Sequence, residues 1–325
     1  MNNEILDKLK VITNEEKEIL NGRENIDERI YMKPSTKIVD KSKLLKNGEL
    51  IQIRPHTRFI HFPAHSHNYI EIVYMCQGST HHVINGNHVT LNQGELLFLN
   101  LKAVHEIYPA KEDDIAVNFI VLPEFFDVAI KMMDEKDNSL RDYIIGCLTS
   151  SKDNISYIHY KVTDVLPVQN LIENLIWSIM NNRPNINNIN QVTMGLLLLH
   201  LMNYTHKIKF EENYEQDLTL KILQFIEENY REGELGKLAE KLNCNIVWLS
   251  RMIKNLTGKT FTELIQIKRM NQAAYMLENT KLSVADIGYF VGYENLSYFY
   301  RIFQKHFGVT PRQYRLSMLK NGYKI

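Results

Sequence analysis

Three histidines and one glutamate in the first half of the chain have the residue types and spacing of a binding site. His65, His67 and Glu71 stand two and four residues apart, and His105 follows later. Residues separated by an even number of positions share one face of a β-strand, so the first three side chains can point into one interior. Three imidazoles and a carboxylate suit Zn, Fe, Mn or Ni. The same groups can hydrogen-bond the hydroxyls of an organic ligand, or form a structural cluster that binds nothing.

Other polar residues nearby are candidates for the lining of the same site. Tyr69 lies within the cluster, and Arg54 and Arg58 have the same parity along one predicted strand, although both arginines could equally lie on the surface. Three further histidines flank a predicted hairpin, and we expect them to be exposed rather than to bind a ligand: His81, His82 and His88.

The segment that positions these residues has the pattern of a β domain. Between residues 49 and 165, short β-prone runs are separated by Gly and Asn. Asn85-Gly86 between two such runs is a strong hairpin signal. Several strands in succession indicate a sandwich or barrel, and we predict a barrel over 49–165.

Helical segments flank this domain. Residues 1–48 are charged and helix-prone, with Thr13 and Glu16 spaced as a capping box, and we assign them no chemistry. Residues 166–206 contain two predicted helices, which we expect to dimerise, and the polar residues 207–216 form a predicted linker. The second helix has an apolar stripe that could instead pack against the barrel: Met194, Leu197, Leu198 and Leu201.

Residues 217–325 contain a helix–turn–helix unit twice. Three pairs of residues share an offset of 50: Leu249 with Phe299, Arg251 with Arg301, and Gly258 with Gly308. A helix predicted over 261–279, which would be roughly 28 Å long, connects the copies. Such a rod can hold two recognition helices about one turn of DNA apart, roughly 34 Å.

The second helix of each copy presents a polar face opposite its apolar stripe, with an arginine at the same position. Such a face suits the major groove, where arginine can pair bidentately with guanine. Each arginine alone could be an ordinary surface residue, and the repeat favours DNA contact. The first recognition face comprises Ile246, Val247, Ser250, Arg251 and Lys254, and the second recognition face comprises Asn295, Leu296, Ser297, Tyr300, Arg301 and Gln304.

The charge distribution agrees with a polyanion partner for the tail alone. Residues 217–325 carry 16 basic and 10 acidic residues, whereas the first 216 residues carry 22 and 28, so a net charge of zero hides a basic tail on an acidic body. Residues 1–10 lack an apolar core, so we expect no signal peptide. The longest apolar run is too short to span a bilayer. The three cysteines are scattered, which is typical of the reducing cytoplasm.

The tail resembles the DNA-binding domain of the AraC/XylS family of bacterial transcription regulators. Two positions depart from the family pattern: Gly288 replaces the usual alanine, and Gln304 replaces a common lysine, which can remove a phosphate contact. The resemblance is carried by Leu238-Ala239, Leu249-Ser250-Arg251, Gly258, Arg269, Ala273-Ala274, Leu277, Ile287, Gly292-Tyr293, Ser297-Tyr298-Phe299, Arg301, Phe303, Phe307-Gly308, Thr310-Pro311 and Tyr314-Arg315.

The front half resembles the cupin fold. The spacing over residues 65–78 is similar to the first cupin motif, and Gly94 with His105 is similar to the second, which here lacks the proline common before the histidine. Cupin-like domains usually form the front half of this family, where the barrel senses a small molecule, often a sugar. The resemblance therefore implies a sensory pocket and no catalysis.

These patterns predict a two-domain α+β protein, with an N-terminal cupin-like β-barrel flanked by helices and a C-terminal all-α double helix-turn-helix. We expect a cytoplasmic regulator that is a homodimer, binds double-stranded promoter DNA, acts with the transcription machinery and does not enter membranes. The alternatives are a cupin-type metal-dependent enzyme or metal sensor fused to a DNA-binding domain, and a DNA-binding protein that responds to no ligand.

The expected effector is a sugar or related metabolite. We expect no required cofactor, and a divalent transition metal at His65, His67, Glu71 and His105 is the second choice. The predicted effector-binding residues are Arg54, Arg58, His65, His67, Tyr69, Glu71 and His105.

Overall fold

A computed structural model describes residues 1–46, 48–132, 139–149, 156–181, 186–209 and 214–320. The chain divides into two compact units, and the predicted two-domain α+β class is confirmed. The N-terminal unit holds the described residues of 1–134 and 144–214, and the C-terminal unit holds those of 135–143 and 215–325.

The strands of the N-terminal unit form two sheets within the described residues, with the orders β1-β3-β8-β5-β6 and β11-β10-β7-β4-β9-β2. Their pairing is antiparallel except between β1 and β3. The strands are β1 Ile38–Val39, β2 Ile51–Pro55, β3 Phe62–His67, β4 Ile70–Gln77, β5 Ser79–Ile84, β6 Asn87–Asn92, β7 Leu96–Leu99, β8 His105–Ile107, β9 Ile115–Val121, β10 Tyr157–Tyr160 and β11 Ile208–Lys209.

The predicted closed barrel is wrong in one respect, because the two sheets pack face to face without joining into one hydrogen-bonded ladder. Val73 and Leu97 of one sheet share an apolar cluster with Ile84 and Leu91 of the other. The predicted hairpin joins β5 to β6, and both of its turn residues, Asn85-Gly86, have positive φ angles of 50° and 89°. Two positive φ angles are what the tight hairpin turn requires.

The first 46 residues belong to the N-terminal unit and are not a separate extension. Their helices are α1 Asn3–Lys10, α2 Asn14–Leu20, α3 Glu28–Tyr31 and α4 Lys41–Leu44. Thr13 and Glu16 form both hydrogen bonds of the predicted capping box at the start of α2. Ile19, Tyr31 and Val39 are buried in one cluster with Phe62 of β3, because burying apolar side chains is favourable.

Four helices come after β9 in the chain, with β10 between the second and the third: α5 Asp127–Met132, α6 Ser139–Thr149, α7 Leu166–Asn181 and α8 Ile186–Asn203. The stripe of α8 that we expected to mediate dimerisation is buried within the unit, where α8 packs against α5 and α7. Gly195 lies close to α5, since an added Cβ would lie 2.6 Å from Met132 Sδ and 3.3 Å from Ala129 Cα. Residues 208–209 of the predicted linker form β11, and 210–213 lie outside the described residues.

The C-terminal unit is helical and repeats as the sequence predicts. Asn245 caps α11, Gly258 ends it with a φ of 72°, and Thr260 with Glu263 forms a capping box on α12. Its helices are α9 Tyr214–Asn229, α10 Leu235–Lys241, α11 Ile246–Thr257, α12 Phe261–Asn279, α13 Val284–Phe290, α14 Leu296–Phe307 and α15 Pro311–Lys320.

Each helix-turn-helix copy has its own apolar core, and α12 belongs to both. The first half of α12, including Leu264, packs with Leu249 and Ile253 of α11. The second half, including Ala273, packs with Phe299 and Phe303 of α14. A single helix therefore links the two copies.

Candidate functional site

A cavity in the N-terminal unit is bounded by both sheets and by the N-terminal segment. Its volume is about 40 Å³, which is enough for a small number of water molecules. The lining residues are Tyr31, Val39, Leu44, Arg54, Pro55, His56, Thr57, Ile60, Phe62, His65, His67, Tyr69, Glu71, Ile107, Asn118 and Ile120.

Strand pairing brings the four cluster residues together at this cavity. His65 on β3 is the register partner of His105 on β8, whereas Glu71 lies on β4 of the other sheet. His67 Nε2 lies 3.2 Å from His105 Nε2, and Glu71 Oε2 lies 3.5 Å from each of these nitrogens. All four side chains are buried. The parity argument placed three of them on one strand, but the chain changes sheet between His67 and Glu71.

The donor atoms of this cluster have a spacing that a metal ion could bridge. The ligand atoms of His65, His67 and His105 lie within 4.8 Å of one another. Two ligands at about 2.1 Å from one ion lie about 3.0 Å apart at right angles and about 3.4 Å apart in a tetrahedron. The observed 3.2 and 3.5 Å separations among His67, His105 and Glu71 match these values. These side chains fit a divalent transition metal, for which imidazole is a suitable ligand.

Burial keeps the imidazoles of the cluster uncharged at neutral pH. It lowers the pKa of His65 to about 4 and the pKa values of His67 and His105 well below their usual value. Burial also raises the pKa of Glu71 to about 7, although a hydrogen bond from Asn118 Nδ2 to Glu71 Oε1 at 2.8 Å opposes this rise. A neutral imidazole has one donor and one acceptor nitrogen, so the cluster can both donate to and accept from a ligand.

Arg54 lines the cavity together with residues that the sequence did not single out. Its Nη2 donates to Tyr31 Oη at 2.7 Å and to the carboxylate of Glu15. Tyr31 Oη in turn donates to Glu15 Oε2 at 2.7 Å. Tyr31 and Glu15 lie in the N-terminal segment to which we assigned no chemistry, and no sequence spacing links them to residues 54–71.

Arg58 and His82 are placed otherwise than predicted. Arg58 is buried away from the cavity lining, where Nε and Nη2 donate to Glu16 at 2.7 and 3.0 Å. His82 is buried and not exposed, with Nε2 2.9 Å from Thr80 Oγ1 and its ring stacked 6.0 Å from that of His105. On β5, His82 faces the interior and pairs with Ile107 of β8. The hairpin signal in the sequence does not reveal this pairing between distant strands. His81 and His88 are exposed, as expected.

The recognition faces lie on α11 and α14, and most of their side chains are exposed. On α11 the first recognition face is exposed along its whole length, from Ile246 to Lys254, with Arg251 in its centre. On α14, Ser297, Arg301 and Gln304 are exposed. The Arg301 guanidinium lies 5.2 Å from the centre of the Tyr298 ring.

Two members of the second recognition face have structural roles in the fold. The Oδ1 atom of Asn295 accepts from the backbone N–H of Tyr298 at 2.9 Å and caps α14. Leu296 is half-buried against α13, where a Cβ added to Gly288 would lie 2.8 Å from Leu296 Cδ2. The added Cβ would also lie 3.2 Å from Phe299 Cδ1, so Gly288 lies in close contact with side chains at the start of α14.

Comparison with known proteins identifies both units. Residues 47–126 match the model of the AraC-like ligand binding domain, and residues 238–317 match the model of a helix-turn-helix domain. The transcriptional activator RhaS of Mannheimia succiniciproducens is 24% identical, covering 78% of this chain and 90% of its own. The transcriptional activator RhaR of Escherichia coli K12 is 22% identical, covering 78% and 87%.

Among solved structures, the C-terminal domain of AraT, a response regulator from Geobacillus stearothermophilus, is 34% identical, with a TM-score of 0.32. It covers 35% of this chain and 95% of its own. No helix within the described residues has the length and apolar character needed to cross a bilayer.

A ligand-binding domain followed by two helix-turn-helix units defines a DNA-binding transcription regulator. The chain belongs to the AraC/XylS family.

Proposed function

We propose that the cavity binds a small polar effector, a sugar or related metabolite, and that this binding controls the action of the regulator on promoter DNA. The observation that carries the proposal is Glu71 Oε2, a buried oxygen without a hydrogen-bond partner within the described residues. An unsatisfied buried polar group costs about 1–3 kcal/mol. A ligand hydroxyl beside Glu71 and the neutral imidazoles of His67 and His105 can donate to one and accept from another.

A divalent transition metal at His65, His67, Glu71 and His105 is the second candidate. The 3.2–3.5 Å separations among the donor atoms of His67, Glu71 and His105 favour it, and the ligand atoms of His65 lie within 4.8 Å of those of the other two histidines. We propose that metal is not required for DNA binding and that the chain has no enzymatic activity, since the relatives that it matches are named transcriptional activators.

The two candidates are separated by what the purified protein contains and responds to. Untagged full-length protein is analysed for metals, treated with a chelator, and tested against a panel of monosaccharides for thermal stabilisation and altered DNA binding. We expect a metal-independent response to one sugar class; a ligand at 100 times its Kd stabilises the folded state by about 2.7 kcal/mol. If the protein contains near-stoichiometric metal, and if removal of the metal abolishes the response and its return restores it, the protein is a metal sensor and the sugar proposal is wrong.

The matched variants are Glu71→Gln in the cavity and His88→Ala on the surface. Glu71→Gln keeps the size of the side chain but changes its hydrogen-bonding groups. We expect the affinity for the effector to fall at least tenfold, which is about 1.4 kcal/mol, while DNA binding is retained. His88 is exposed, so its replacement should leave the response unchanged. Equal responses of Glu71→Gln and the unaltered protein would remove the effector from this cavity.

We also propose a homodimer, formed by the exposed side of α8. The apolar stripe that includes Met194 and Leu201 is buried within the unit. A second side of the helix carries Ile189, Val192 and Leu196, which are 56, 45 and 41% exposed. Their spacing of three and seven residues places them on the same face. A dimer can bind two operator sites at once, so it binds a symmetric or tandem promoter site more tightly than a monomer does.

Leu196→Glu is expected to convert the dimer to a monomer, because it places a charge on the exposed stripe formed by Ile189, Val192 and Leu196. Light scattering at several protein concentrations measures the mass. Leu20→Glu is the control, because Leu20 is 55% exposed on α2 and lies outside this stripe. A monomeric unaltered protein, or a dimer that tolerates Leu196→Glu, would contradict this interface.

The remaining partners follow from promoter DNA as the target. We propose that the regulator acts with the transcription machinery in the cytoplasm, where that DNA lies. The relatives RhaS and RhaR are named activators, which supports activation as the direction of control. Transcription from the bound promoter with and without the effector tests this direction.

A further inference from the structure

The two helix-turn-helix copies are fastened together at Tyr230 and Arg231, which follow α9. Arg269 on α12 donates from Nε to the carbonyl of Tyr230 and from Nη2 to the carbonyl of Arg231, each at 2.7 Å. The same guanidinium lies 5.1 Å from the centre of the Tyr293 ring, which belongs to the second copy. The Tyr230 side chain packs against the apolar cores of both copies. The copies are thus connected twice, through α12 and through these two residues.

The turn of the second copy closely approaches the same point. A Cβ built on Gly292 would lie 2.5 Å from the Arg231 carbonyl oxygen. The equivalent turn residue of the first copy is Asn243, which also has a positive φ. The φ of 49° at Asn243 is one that asparagine can adopt, whereas the φ of 93° at Gly292 favours glycine, and the contact with Arg231 is a second reason for glycine at 292. The Arg231 guanidinium also lies 3.6 Å from the centre of the Phe290 ring on α13.

We propose that Arg269 and Gly292 are positioning residues that fix the distance and angle between the two recognition faces, so that the regulator selects operators by the spacing of their half-sites. This inference rests on the proposed DNA contacts of these faces. One added base pair moves a half-site about 3.4 Å along the DNA and rotates it by about 34°. A single helix junction can bend to follow that shift, whereas a doubly connected pair cannot.

The test compares spacing preference in full-length variants. A bipartite DNA sequence enriched by the unaltered protein from a random pool is prepared with its natural spacing and with one base pair more or less. We expect the unaltered protein to lose about tenfold in affinity or more on either shift, comparable to a mismatched base pair. Arg269→Ala should bind the natural site more weakly and reduce the loss on shifting to less than about threefold. Gly292→Ala would push the turn of the second copy away from the Arg231 carbonyl, so it should also weaken binding to the natural site and reduce the loss on shifting.

Two matched controls separate positioning from general damage. Arg315 donates to the carbonyls of Leu277 and Leu282 within the second copy. Arg315→Ala therefore removes a similar pair of hydrogen bonds and leaves the contacts of Arg269 and Gly292 with residues 230–231 in place. Gly308 has a φ of 76° with no atom within 4 Å of an added Cβ, so Gly308→Ala reproduces the turn strain alone. Both controls should keep the original spacing preference.

An unchanged spacing preference in folded Arg269→Ala and Gly292→Ala would overturn this inference alone. If Arg269→Ala fails to fold, Gly292→Ala and Arg269→Lys, which keeps the charge with one donor group, decide the result. If the unaltered protein enriches no bipartite sequence, the proposed recognition faces fail and this inference fails with them.

Discussion

The double variant Arg251→Ala, Arg301→Ala is expected to bind its specific DNA about as weakly as random DNA. Each arginine is exposed at an equivalent position of its recognition face. Losing a bidentate contact to guanine costs about 1–3 kcal/mol. The two arginines belong to different copies, so their losses should add to about 2–6 kcal/mol. Equilibrium binding to the enriched sequence and to a scrambled sequence measures the change.

A salt titration distinguishes base contact from phosphate contact. If the arginines contact only phosphates, the double variant will bind every sequence more weakly to the same extent and will show a reduced salt dependence. Arg312→Ala is the control, because Arg312 is an exposed arginine on α15 outside both recognition faces. Unchanged binding by the double variant would show that the recognition faces are assigned wrongly.

Glu16→Ala is expected to destabilise the N-terminal unit by about 3–5 kcal/mol, because it leaves a buried charge without its partner. Glu16 and Arg58 are 1 and 2% exposed. Glu16 accepts from Arg58 Nε at 2.7 Å, from the Arg58 backbone N–H at 3.1 Å and from the Thr13 N–H at 2.8 Å. Urea unfolding followed by Trp177 fluorescence, in a Trp248→Phe background, measures the loss, since these are the two tryptophans of the chain.

The same pair predicts an acid dependence. Burial acts to raise the pKa of Glu16, but the hydrogen bonds from Arg58 and the backbone outweigh it and hold this pKa below 4.5. The carboxylate therefore stabilises the fold above its unfolded pKa, and this stabilisation is lost as the pH falls through the lowered value. The difference between Glu16→Ala and the unaltered protein should shrink below about pH 4.5.

The control is the double variant Glu16→Ala, Arg58→Met, which removes both charges. Replacing a buried ion pair by apolar groups is often close to neutral, so the second substitution should restore most of the stability. If Glu16→Ala alone changes stability by less than about 1 kcal/mol, the usual effect of a surface pair, then the ion pair is not buried in solution.

The sequence predicts the C-terminal unit well, because its signals are local. Asn245, Gly258 and the Thr260–Glu263 box act within one turn of a helix and mark the ends of α11 and α12. The repeat offset reveals the two copies without any knowledge of their packing. The sequence did not predict the hydrogen bonds from Arg269 to Tyr230 and Arg231. These partners lie 39 and 38 residues away in the chain, and they accept through backbone carbonyls, which every residue type has.

The N-terminal unit was predicted less completely, because its site depends on pairing between distant strands. Parity brought His65 and His67 to the interior, but it could not show that Glu71 faces them from the other sheet. Helical periodicity found the buried stripe of α8 but could not tell packing within one chain from packing between two. Tyr31 reaches the cavity only because the first helices fold back onto the sheets.

The most direct test of the central claim is enrichment of DNA from a random pool by the full-length protein. The 19-residue length of α12 is suited to holding the two recognition faces about one turn of DNA apart, which predicts a bipartite sequence whose half-site centres lie about 10–10.5 base pairs apart. Recovery of such a sequence, bound far more tightly than scrambled DNA, is the expected result. Recovery of a single short motif, or of no motif after repeated rounds with folded protein, would contradict recognition by both copies.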